Sequence, residues 1–118
     1  MSDKKIKKVA LLAAEAAEDK KAKDIDVLSV EELTIVSDYF VICSGNTEVQ
    51  VKAIARGIEE KLGENNIEPQ NVAGASEGRW ILLDYADVIV HVFHKNERDF
   101  YELERLWADA EEILRKTK

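Results

Sequence analysis

Cysteine and proline each occur once in this 118-residue chain, as Cys43 and Pro69, and glycine occurs five times. A lone cysteine excludes an internal disulfide and any Cys-rich zinc site. Nothing approaches the ~18 consecutive apolar residues of a membrane span. The start of the chain has neither the apolar core of a signal peptide nor the acid-free composition of a transit peptide, since Glu15, Glu18 and Asp19 fall within it; a cytoplasmic setting is expected. A basic surplus is also missing. Seventeen Lys and Arg face 24 Asp and Glu, a formal net charge of −7, which argues against a protein that holds nucleic acid, DNA included, mainly through phosphate contacts. The acidic balance suits a basic partner, because opposite charge accelerates encounter.

Hydrophobic residues make up 46% of the chain, enough for one packed core, so residues 1–118 are expected to form a single domain. Residues 3–22 predict a helix whose inner face is small: Ile6, Val9, Leu12, Ala13, Ala16 and Ala17. Such a face permits close approach to a sheet, and would equally support a homodimer. Residues 24–30 alternate as a strand, and the nearly continuous apolar run at 38–44 predicts a strand buried on both faces. Thr47 and Gln50 have the spacing of a reciprocal capping box ahead of a helix with Val51, Ile54, Ala55, Ile58 and Leu62 on one face; Gly63 should end it. Residues 80–85 and 87–94, joined through Ala86 and Asp87, predict an antiparallel hairpin. A last helix capped by Asn96 is expected to carry the stripe Phe100, Leu103, Leu106, Trp107, Ala110, Ile113 and Leu114, with Arg98–Glu102, Arg105–Asp109 and Glu111–Arg115 as exposed i,i+4 pairs. The sum is an α+β fold, a mixed sheet flanked by helices.

The candidates for chemistry are few. His91 and His94 sit three apart on a strand and so point to opposite faces, which rules out convergence on one metal ion. Cys43 lies inside Phe-Val-Ile-Cys, the setting of a buried small hydrophobe. Asp24 and Asp26 would share a strand face, as the metal-binding carboxylates of nucleotidyltransferases do, but Ser44-Gly45 follows them and is reversed relative to the Gly-Ser turn that chemistry uses. Asp84 and Asp87 flank the hairpin link, where Asp is favoured for backbone reasons. No catalytic set, metal site or cofactor motif emerges. Surface recognition remains, with Trp80 at the start of a strand as its aromatic anchor or, with equal claim, a core residue. Trp80, Leu82 and Asp84 share one face of that strand; Ile81, Leu83 and Tyr85 share the other.

Three segments together resemble the ribosomal silencing factor family, also called Iojap-like proteins. They are residues 37–46 (Ser-Asp-Tyr-Phe-Val-Ile-Cys-Ser-Gly-Asn) running into 50–55, residues 77–93 (Glu-Gly-Arg-Trp-Ile-Leu-Leu-Asp-Tyr-Ala-Asp-Val-Ile-Val-His-Val-Phe), and residues 98–107 (Arg-Asp-Phe-Tyr-Glu-Leu-Glu-Arg-Leu-Trp). The resemblance implies a nucleotidyltransferase-like topology without the catalytic residues. It implies docking on the large ribosomal subunit through a basic protein of the intersubunit face, the fourteenth of the large-subunit series, blocking small-subunit joining when nutrients are scarce. Carried onto this sequence, the partner-binding residues would be Trp80, Leu83, Asp84 and Tyr85, flanked by Tyr101 and Glu104. Two alternatives stay open: a large-subunit assembly factor or adaptor on the same site, and metal-dependent nucleotidyl transfer by Asp24 and Asp26. Ala86 stands where the family usually has Gly, so a link that does not need positive φ is expected.

Overall fold

The apolar run in the middle of the sequence becomes the middle of a sheet. In the computed structural model, which describes residues 3–35, 37–101, 105 and 107–116, strand β2 (Tyr39–Gly45) is buried at every position. It lies between β1 (Lys23–Ser29), antiparallel, and β5 (Val88–His94), parallel. β4 (Trp80–Asp84) and β3 (Asn71–Ala73) extend the sheet beyond β5, and β6 (Glu111–Lys116) pairs with the free side of β1. The order β3-β4-β5-β2-β1-β6 makes a mixed six-stranded sheet. With helices α1 (Asp3–Asp19), α2 (Glu48–Glu64) and α3 (Lys95–Tyr101), the fold is α+β, as the element order predicts.

One sheet face is covered by α1 and α2. Ile54, Ile58 and Leu62 of α2 meet Val41, Val90 and Val92, and the small α1 residues Ala10, Ala13 and Ala17 are completely buried there. That alanine face is therefore spent inside the chain and offers nothing to a second copy. Thr47 caps α2 by accepting the Gln50 N–H at 3.0 Å. The reciprocal bond is displaced by one residue: Gln50 Oε1 accepts the Asn46 N–H at 2.7 Å, while its amide nitrogen donates to the Lys21 carbonyl at 3.2 Å. α2 runs through Gly63 to Glu64, and the left-handed residue beyond it is Asn66, at φ 63°. Asn tolerates that conformation better than other non-glycine residues, so the glycine is not needed there.

The long last helix does not form. α3 starts at Lys95, directly after β5, with His94 Nδ1 accepting the Asn96 N–H at 3.2 Å, so His94 and not Asn96 caps it. Residues 107–109 turn and Glu111–Lys116 is a strand, which places Ile113 and Leu114 against the α1/α2 core. β1 would otherwise keep an open edge, and pairing it satisfies a row of backbone groups that no helix could reach. The expected Glu111–Arg115 helical pair is replaced by an Arg115–Asp26 ion pair at 3.0 Å. Glu102, Leu103 and Leu106 of that prediction lie outside the described residues.

The β4–β5 link does use positive φ. Ala86 sits at φ 71°, its N–H bonded to Asp84 Oδ1 at 2.8 Å, with the Asp87 N–H bonded to the Tyr85 carbonyl at 2.9 Å. These hydrogen bonds hold the link against the Cβ penalty, contrary to the expectation of a relaxed turn. Ala86→Gly should therefore stabilise the protein by about 1 kcal/mol. Urea denaturation would show it as a raised midpoint with unchanged slope.

Candidate recognition surface

The second sheet face is built from larger residues. Leu28, Val30, Phe40, Ile42, Ile89 and Phe93 form its buried layer, and Trp80, Leu82, Trp107 and Ala110 lie over it, each half-buried. Trp80 stacks on Phe93 at 4.8 Å, its register partner on β5, and Trp107 meets Phe40 edge-on at 5.1 Å. Trp80 is thus both things the sequence left open: part of the packing on one side and exposed on the other. Its indole N–H donates to His91 Nδ1 at 3.1 Å. Accepting there makes His91 the Nε2-protonated neutral tautomer, and burial pushes its pKa down to about 4. His91 Nε2 is buried with no partner among the described residues.

Alternation along β4 divides the predicted docking set. Trp80 and Leu82 lie on the aromatic face, while Leu83 is completely buried in the α1/α2 core and presents no surface of its own. Leu83 can serve docking only by holding its strand in place. Tyr85 also packs toward that core. Burial raises its phenol pKa, with Glu59 and Glu68 adding to the effect, and its hydroxyl has no partner among the described residues. Asp84 accepts from Ala86 and, at 3.5 Å, from Gln70 Nε2, as a hairpin-link carboxylate would. Tyr101 closes α3; its side chain and Glu104 lie outside the described residues. Leu82, readable from its two-residue spacing to Trp80, is the surface residue missing from the predicted set.

The catalytic candidates look different once placed. A bulge between Lys23 and Asp26, with Asp24 at φ 48°, breaks the alternation of β1, so Asp24 is exposed while Asp26 is buried. The two carboxylates do not share a face. Asp26 Oδ2 accepts from Arg98 at 3.1 Å and Oδ1 from Arg115 at 3.0 Å. Burial raises its pKa against the pull of both guanidiniums, which also repel any divalent cation. Among the described residues no group of three or more His, Cys, Asp or Glu is placed to hold a metal ion. Cys43 is completely buried and its thiol pKa is pushed up to about 12, so it is not a reactive thiolate. Among the described residues no helix is long and apolar enough to cross a membrane.

A six-stranded mixed sheet, helix-covered on one side and aromatic on the other, defines an α+β protein of a recurring design. Crystal structures of proteins from Chromobacterium violaceum (TM-score 0.85, 38% identity, 87% of this chain and 86% of the other) and Bacillus halodurans (TM-score 0.78, 42% identity, 86% and 94%) share it. The family described as "Ribosomal silencing factor during starvation" matches residues 3–118, and the Bacillus subtilis ribosomal silencing factor RsfS is 50% identical over 104 residues, 88% of each chain. The chain belongs to the ribosomal silencing factor family.

Proposed function

We propose that this chain represses translation without catalysing a reaction. It docks on the large ribosomal subunit, in the cytoplasm, through a basic protein of the intersubunit face, the fourteenth of that subunit. Its bulk then keeps the small subunit from joining when nutrients are limiting. The observation that carries this reading is the half-buried Trp80 beside Leu82 on the aromatic face: an apolar anchor on a chain of net charge −7, suited to a basic protein target. Family membership supports it, as does Asp26, held by two arginines where the rival nucleotidyl transfer would need a free carboxylate.

The test is a sucrose gradient of purified subunits at saturating added protein. The joined ribosome should diminish and the protein should migrate with free large subunits. A joined peak of unchanged size, with the protein still on the large subunit, would favour the assembly-factor reading; protein left at the top of the gradient would remove both.

A further inference from the structure

We infer that the first two turns of α1 form a local RNA-phosphate contact on this otherwise acidic protein. Lys4, Lys5, Lys7 and Lys8 are all exposed. At 3.6 residues per turn they span an arc of about 160°. Ile6, Val9, Ala10 and Ala13, on the opposite side of the helix, are buried.

The charge order of α1 runs against its dipole. Cations are unfavourable at a helix N-terminus and anions at its C-terminus, yet after Asp3 this helix places four lysines in its first two turns and Glu15, Glu18 and Asp19 in its last two. The two ends are compensated differently. Lys61 pairs with Glu15 at 2.8 Å and Asp19 at 3.5 Å, and Lys116 pairs with Glu18. The four lysines have no ion pair among the described residues. A cluster that opposes the dipole, with Asp3 as the one acid in its turns and no ion pair among the described residues, is arranged for an external anion.

Two features select the anion. Lys5 and Lys8 border a hollow of about 330 Å³ lined also by Val9, Leu12, Asn65 and Ile67, so a ligand there meets positive charge for a phosphate, an amide for a sugar hydroxyl or base edge, and apolar surface between them. A membrane surface is disfavoured because the apolar face of α1, which an interfacial helix would insert, is buried in the core. The choice of ribosomal RNA rests on the proposed function. The acidic remainder limits this contact to an auxiliary of the protein-mediated docking.

The test uses protein-free large-subunit rRNA and filter binding across a salt series, so it is independent of docking and of subunit joining. The wild-type chain should bind in low salt. The K4Q/K5Q/K7Q/K8Q variant should bind at least ~10-fold more weakly, and the slope of log affinity against log salt should fall by about 3. These positions are exposed and Gln is a comparable helix former, so the variant's thermal midpoint should equal or exceed the wild type's. A control with Lys20→Gln, Lys21→Gln, Arg56→Gln and Lys95→Gln reaches the same net charge and should keep the wild-type slope. The inference is overturned if the wild type does not bind rRNA, if the α1 variant binds like wild type, or if the control loses as much. It is also overturned if the four lysines support binding to phosphatidylglycerol vesicles and not to RNA.

Discussion

Asp26→Ala is expected to lose about 3–5 kcal/mol of stability, a large share of the ~5–15 kcal/mol a domain of this size has available. The carboxylate is almost wholly buried on β1 and joins two elements that reach it from the C-terminal third of the chain: Arg98 on α3, itself nearly buried, and Arg115 on β6. Arg98 also donates to the Asp24 carbonyl and, at 3.4 Å, to Ser44 Oγ. Removing the carboxylate leaves the Arg98 charge in a low-dielectric site without its anion, and that stranded charge is the main cost. Asp26→Asn should recover little, because an amide restores shape and one hydrogen bond but no negative charge. Arg115→Ala should cost far less, within about 1 kcal/mol, since more than half of that side chain is solvent-exposed. Urea unfolding of the three variants would give the order directly. Equal losses for Asp26→Ala and Arg115→Ala would show that the Arg98 pair is not what holds α3 to the sheet.

The same triad shows where the sequence was legible. The strongly patterned elements were readable because period and burial agree: the apolar run of β2, the stripe of α2 and the alternation of β4 each appear where their spacing puts them. The C-terminal third misleads because Ile113 and Leu114 fit a helical stripe as well as a strand, and only the unpaired edge of β1, distant in sequence, decides between them. Arg98 has the local look of an exposed helix cation. Its destination lies 72 residues away, and no spacing rule reaches that far. Asp24 and Asp26 fail as a pair for a related reason, since alternation presumes a regular strand and the bulge removes it. On the candidate surface, Trp80 and Leu82 follow from period two, but the role of His91 as acceptor for the indole needs the β4–β5 register. Leu83 and Tyr85 entered the docking set through the family resemblance, and the alternation of their own strand already placed them on the other face.

Trp80→Ala should abolish co-sedimentation with large subunits, raising Kd by at least ~30-fold, about 2 kcal/mol, the loss expected of an aromatic hot spot. The substitution also removes the Phe93 stack and leaves His91 Nδ1 without its donor, so some stability will go with it. Two further variants separate docking from folding. Leu82→Ala trims the exposed neighbour while leaving the stack and the His91 hydrogen bond in place, and should weaken binding with a small stability loss. Leu83→Ala creates a cavity in the opposite core and should cost about 2–5 kcal/mol of stability, yet bind normally at temperatures where it remains folded. Salt adds a third axis. If the apolar anchor sets the equilibrium, the Trp80→Ala loss should persist at high ionic strength, while the association rate of the wild-type chain falls as its acidic field is screened. A folded Trp80→Ala protein that co-sediments with wild-type affinity would remove the anchor, and with it the reason to place the partner on the aromatic face.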